Sequence, residues 1–383
     1  MSGSVLLVYD EGFLSYDFGG AHSLRQERIK LARELISELG LLQRRGVKEV
    51  PAESAEEEIL LIHSREYVEA VRASGKDPEG IGGRYMEYGL GTPDNPIFPR
   101  MYEASALHVG GTLEAGRTVT SSKAKHAFNL GGGFHHASRS RASGFCIFND
   151  LAITIQTLLE EGLSRILYVD VDAHHGDGVQ YSFYDEPRVL TISLHEDGRY
   201  LFPGTGFVHE IGEGEGEGYS VNVPLPPHTG DAAYLQVFRD IVSPLAEVFR
   251  PEVIVSQLGV DTHFSDPLTH LNLTTAAHWR IGDELHRLAH RLCEGRWVAA
   301  GGGGYQPSAV ARSWTLMFGT MVEWEVEDEI PEAWASLYSA LMGRAPDVES
   351  LWDPDIPSST AVDREVERVV EEVKKAVSPY HPL

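Results

Sequence analysis

The sequence predicts an α/β protein, a single domain built on a mainly parallel β-sheet with helices on both faces. Short, β-branched apolar runs alternate with longer amphipathic stretches along most of the chain. Those runs are apolar almost throughout rather than alternating, as expected of strands covered on both faces. No Pro/Gly/Ser-rich linker divides the text, and 383 residues can bury a sizeable core.

Taken in order, VLLVY at 5–9 is the first strand and 22–39 the first helix. A second helix is expected at 100–119, then a strand at 126–130 (HAFNL), a helix at 151–161 and a strand at 165–171 (RILYVDV). Strands follow at 188–194 (RVLTISL), 253–258 (VIVSQL) and 297–300 (WVAA), with helices at 232–249 and 276–293. Long loops are expected at 75–99 and 196–219, where GEGEGEG is too glycine-rich and acidic for a regular element. Beyond about 345 the text turns Pro- and Asp-rich, so 346–383 reads as a peripheral extension ending in an amphipathic helix at 364–377.

Composition narrows the function. Hydrophobic residues make up 42% and charged residues 23%, ordinary values for a globular protein, and no apolar run reaches the length of a membrane helix. A net charge of −25 argues against direct nucleic-acid binding, whose footprint is basic, and mildly favours a cationic partner. Two cysteines, Cys146 and Cys293, cannot build a disulfide framework, which fits the cytoplasm.

Four of the strands run directly into unusual segments. HAFNL leads into GGGFHHASRSRASGFCIFND, RILYV into DVDAHHGDG, VIVSQL into GVDTHFSDP, and WVAA into GGGGYQP. Segments that follow parallel strands gather along one sheet edge, where ligands bind, so the four are expected to converge. Asp170, Asp172 and His174 alternate along DVDAH and share one side of the chain as it leaves the strand. Asp172 and His174, with Asp261 from the matching end of another strand, make a three-ligand set with open positions. Oxygen and nitrogen donors without thiolate suit Zn²⁺ or Fe²⁺.

His135 and His136 follow three glycines, and each needs a carboxylate on its far nitrogen; Asp170 and Asp177 are the candidates. Tyr305 follows Gly301–Gly304, and with no Lys-Ser/Thr after it the segment is not a P-loop. A phenol on such a loop can place its O–H against a carbonyl oxygen that is becoming an oxyanion.

These segments resemble the signatures of the zinc-dependent histone deacetylase superfamily, over about residues 5–345. YGLGTPDNPIFPRM and HEDGRYLFPGTG are most similar to its bacterial and archaeal acetoin-utilisation type. The resemblance implies an arginase/deacetylase fold, a catalytic domain over 1–345, and removal of acetyl groups from lysine. Residue by residue, it makes Asp172, His174 and Asp261 the Zn²⁺ ligands, His136 with Asp177 the general base and acid, and His135 with Asp170 the electrostatic partner. Tyr305 then polarises the carbonyl. Gly144, Phe145 and Phe202 form an acyl-lysine tunnel with Leu268 at its rim, and Asp94 grips the substrate backbone.

The family also binds K⁺. One implied site uses Asp170, Asp172, His174, Ser193 and Leu194, and a second Phe183, Glu186, Val189 and Tyr219. An acetylated acyl-CoA synthetase is the partner suggested. One departure is in GGAHSLRQERI, where relatives usually carry a proline after His22 and this chain has Ser23; Arg25 and Arg28 are kept.

Three other readings are open. A deacylase of acetylated polyamines shares the chemistry and differs at the rim. An arginase-like hydrolase would need two clustered metals and more carboxylates. A non-catalytic acyl-lysine reader would have lost a ligand or the tyrosine, and neither is lost.

Overall fold

The computed structural model describes residues 4–78 and 85–382. Eight parallel strands form one sheet. In chain order they are β1 (Val5–Val8), β2 (Val47–Val50), β3 (His126–Asn129), β4 (Ile166–Asp170), β5 (Val189–Glu196), β6 (Ser220–Leu225), β7 (Val253–Gln257) and β8 (Trp297–Ala300). Across the sheet they lie β2-β1-β3-β8-β7-β4-β5-β6. The four strands that carry the unusual segments, β3, β8, β7 and β4, are therefore the four central neighbours. Their C-terminal ends open side by side.

The six expected strands are all present, with ends moved by a few residues. Two more, β2 and β6, form the sheet edges. An edge strand needs less apolar surface, so β2 has the sequence VKEV with Lys48 and Glu49 exposed. Pro224 in β6 pairs in register with His195 and is tolerated because no further strand asks for its missing N–H.

The five helices expected before residue 300 are all present, with their ends shifted. The first begins only at Glu27 (Glu27–Glu38), because residues 19–26 turn instead. There His22 N–H donates to the Gly19 carbonyl, and Leu24 N–H to His22 Nδ1 at 3.0 Å. The stretch expected at 232–249 is helical but contains a π-turn, Phe238–Val242, just ahead of Pro244, which has no N–H to give. Pro307–Met321 was not expected; it is buried almost all round and so shows no polar face. Arg65–Lys76 and Glu332–Met342 are further additions, the first reaching into the expected loop at 75–99. Residues 79–84 of that loop lie outside the described residues.

The chain beyond 345 is fastened at several points. Helix Thr360–Val377 buries Val366, Val370, Val373 and Val377, a single stripe at helical spacing, and Ser359 caps it by accepting from Ala361 N–H. Asp353 inserts into the core. It accepts from Arg312 Nη1 at 2.8 Å, contacts His263 Nε2 at 2.7 Å and accepts from Thr275 N–H at 2.9 Å. Burial alone would raise its pKa, but the His263 hydrogen bond and the charges of His263 and Arg312 hold it well below the usual carboxylate range.

Asp353→Ala leaves a buried guanidinium without its partner and is expected to cost about 3–5 kcal/mol at neutral pH. Because the folded pKa is depressed, this stabilisation is complete above the unfolded pKa of about 3.9 and is lost as pH falls towards the folded value. Urea melts of wild type and variant should therefore converge in acid. A gap that stays constant between pH 7 and 3 would show that the carboxylate charge contributes nothing.

Candidate active site and metal centre

The site is assembled by the four loops at the C-terminal ends of the central strands. Asp172 and His174 follow β4, and Asp261 follows β7. All three are buried, and their candidate ligand atoms lie within 4.8 Å of one another. His174 Nδ1 is 3.1 Å from Asp172 Oδ1 and 2.9 Å from Asp261 Oδ2.

Two buried carboxylates this close repel each other unless a positive charge sits between them. Among the described residues, the ion-pair partner they share is His174, not a lysine or arginine. Two oxygens and one imidazole nitrogen at this spacing fit a divalent ion with bonds of about 2 Å. The remaining carboxylate oxygens are held in place. Asp172 Oδ2 accepts from Gln257 Nε2 at 2.5 Å and Gly303 N–H at 2.8 Å, and Asp261 Oδ1 accepts from Ala173 N–H at 2.8 Å. Such partners fix ligand direction.

Gly303 is required by close approach. A Cβ there would lie 2.1 Å from Asp261 Oδ2 and 2.6 Å from Asp172 Oδ2. Gly303→Ala is expected to weaken divalent-ion binding by about 10- to 100-fold, read by competition with a chelating dye. Unchanged affinity would mean that the two carboxylates do not hold the ion.

Both histidines have the partners expected from the sequence. His135 Nδ1 is 2.7 Å from Asp170 Oδ2, and His136 Nδ1 is 2.7 Å from Asp177 Oδ1. Their environments push them apart. For His136, burial and the neighbouring His135 charge outweigh Asp177 and bring its pKa down to about 4. For His135, burial is overcome by Asp170 and Asp172, and its pKa rises to about 9. The two imidazoles are thus pushed in opposite directions, His136 towards the form that accepts a proton and His135 towards the charged form. Burial, followed by the Asp261 and Asp172 charges, keeps Tyr305 well above the usual phenol range, so it remains an O–H donor.

An outer cavity of ≈ 210 Å³ leads to this centre, with Phe145 and Phe202 on its walls and Asp94 and Leu268 also lining it. Phe202 stands edge-on to His136 at 5.1 Å, and Phe145 edge-on to Tyr305 at 5.7 Å. Gly144, at φ +51°, has to be glycine, since a Cβ would meet His136 Cδ2 at 2.4 Å. Past His136 and Tyr305 lies an inner pocket of ≈ 30 Å³, room for about one or two waters.

The residues expected around potassium are also neighbours. Asp170 and Ser193 are register partners in β4 and β5, followed by Leu194. Phe183, Glu186 and Val189 form consecutive turns into β5. The Tyr219 carbonyl accepts from Thr191 N–H at 2.9 Å.

Several supporting residues had been given no role from the sequence. Gln257 steers Asp172. Asp150 accepts from Gly133 and Phe134 N–H at 2.9 and 2.7 Å and sets the glycine loop before the two histidines. Asp266 accepts from Tyr305 N–H at 2.8 Å, and Arg28 donates to the Gly302 and Gly304 carbonyls at 2.7 and 3.0 Å. The available signal was a polar or charged residue at the end of an apolar run, as in VIVSQL and FCIFND.

Comparison with known proteins agrees with this fold. The family profile described as histone deacetylase domain matches residues 22–321. The acetoin utilization protein AcuC of Bacillus subtilis is 45% identical over 336 residues, covering 86% of this chain and 85% of its own length. That of Staphylococcus xylosus is 37% identical over 371 residues, 94% of this chain and 90% of its own. Among solved structures, a histone deacetylase homologue complexed with SAHA superposes with a TM-score of 0.88 at 32% identity, covering 98% of this chain and 100% of its own. A homologue from Aquifex aeolicus gives 0.86 at 32% identity, covering 96% and 100%.

Proposed function

The chain belongs to the histone deacetylase family, and from that premise we propose that it removes acetyl groups from lysine side chains of proteins in a reaction that depends on one divalent ion, Zn²⁺ or Fe²⁺. The observation that carries this reading is the pairing of two histidine–aspartate dyads with a three-ligand centre at the end of an aromatic cavity.

Held by Asp172, His174 and Asp261, the ion would supply Lewis acidity towards the acyl carbonyl and a more acidic water. Neutral His136, oriented by Asp177, accepts the water proton and later delivers it to the departing amine. Tyr305 donates its O–H to the carbonyl oxygen as negative charge develops, and His135, paired with Asp170, acts as the electrostatic partner. Phe145 and Phe202 line the lysine stem, while Asp94 accepts a substrate backbone N–H. K⁺ at the two backbone-oxygen sets belongs to the same proposal. So does an acetylated acyl-CoA synthetase as the natural substrate, an idea supported by the similarity to acetoin utilization proteins.

The test is acetate release from an acetyl-lysine peptide and from N-acetylputrescine, with and without chelator. Peptide turnover that stops with chelator and returns with Zn²⁺ or Fe²⁺ is expected. Turnover of the polyamine alone would keep the chemistry and overturn the protein substrate. Chelator-resistant turnover would overturn the role of the ion.

A further inference from the structure

A second group of ligating side chains lies at the other end of the sheet. His126 opens β3 in register with Val5 and Trp297, at the edge where strands enter, whereas the catalytic loops leave from the opposite edge. His286 and His290 are one turn apart on helix Thr275–Leu292, so both face the same way. One ring nitrogen from each of the three histidines falls within a set no more than 4.8 Å across.

We propose that His126, His286 and His290 form a second metal site, for a late first-row divalent cation such as Zn²⁺, that ties the end of this helix to the entry edge of the sheet. Four observations support it. His126 Nε2 and His290 Nε2 are 3.2 Å apart; two nitrogens bound tetrahedrally at about 2.0–2.1 Å would be separated by about 3.3 Å. The three rings stand 4.6–5.0 Å apart at steep mutual angles, 52°, 57° and 83°, rather than stacked flat. His286 Nδ1 is a buried nitrogen with no hydrogen-bond partner, so one donor atom of the cluster is left unsatisfied. Finally, His286 and His290 occupy the last two turns of their helix, where the backbone dipole favours a cation.

The surrounding charges are mixed. Asp283 and Glu323 bear on His286 against Arg287, and Lys125 bears on His126. Burial and the neighbouring imidazoles lower the pKa of His126 to about 3 and also lower that of His286, which keeps them in the neutral form a metal requires. His290 is exposed, and the turn beyond it passes through Gly295 at φ +85°, where a Cβ would press on the His290 ring at 3.0 Å. Water can therefore complete the coordination. All-imidazole donors suit Zn²⁺, Ni²⁺ or Cu²⁺ rather than Mg²⁺ or Ca²⁺.

The experiment isolates this site by disabling the catalytic one. Full-length Asp261→Asn and the double variant Asp261→Asn/His290→Gln are dialysed to equilibrium against micromolar Zn²⁺, and bound metal is measured. Circular dichroism verifies that both are folded, and His286→Gln serves as an independent second variant. The double variant is expected to hold one equivalent less than the single one, and Zn²⁺ should raise the melting temperature of the single variant more. Equal stoichiometry in the two would overturn the site and leave His126 and His290 as a hydrogen-bonded imidazole pair.

Discussion

His136→Ala is expected to lower kcat on an acetyl-lysine peptide by about 100- to 10,000-fold without loss of bound metal. The argument rests on position and protonation. His136 faces the same centre as His174, with ring centroids 5.9 Å apart, and Asp177 fixes its orientation through Nδ1. Burial keeps it neutral, so it is ready to take a proton at physiological pH. Because His136 is not among the three candidate ligands, metal content should be unchanged. Asp177→Asn should show a smaller loss of the same kind, since it spoils orientation and tautomer while leaving the imidazole in place. Metal-replete His136→Ala with wild-type kcat would transfer the base to another group.

Tyr305→Phe should reduce kcat by roughly 100- to 1,000-fold, the usual loss on removing one oxyanion donor, with little change in KM or in metal affinity. The hydroxyl is the only part removed. Its ring packs edge-on against Phe145, and its backbone N–H is held by Asp266, so phenylalanine should keep the loop and the wall. A rise in KM at constant kcat would assign Tyr305 to ground-state binding instead.

Much of this site was legible in the chain itself, because the chemistry requires particular residue types at short spacing. DVDAHHGD carries two candidate ligands and both dyad carboxylates between the last residue of β4 and the loop that follows, and GGGFHH carries both imidazoles. The strands β3, β4, β7 and β8 were equally plain, since a strand buried on both faces is apolar along its whole length. Some elements escaped notice where burial and pattern part company. Pro307–Met321 is buried on nearly every side, β2 is too exposed to read as a strand, and Arg65–Lys76 was missed although its apolar stripe is regular.

By itself, then, the sequence determined the α/β class and marked out the candidate ligands, the two histidine–aspartate pairs and the tyrosine, all of which are local patterns of residue type. Only the tertiary structure decided which distant side chains support them. Gln257 on Asp172, Arg28 on the Gly302 and Gly304 carbonyls, and Asp353 against Arg312 join segments far apart in the chain. The same holds for His126, which meets His290 only because β3 pairs with β8 beneath the end of helix Thr275–Leu292. A single buried polar residue has no periodicity to announce it. Its partner is set by the order of strands in the sheet, and that order is fixed by packing the whole chain at once.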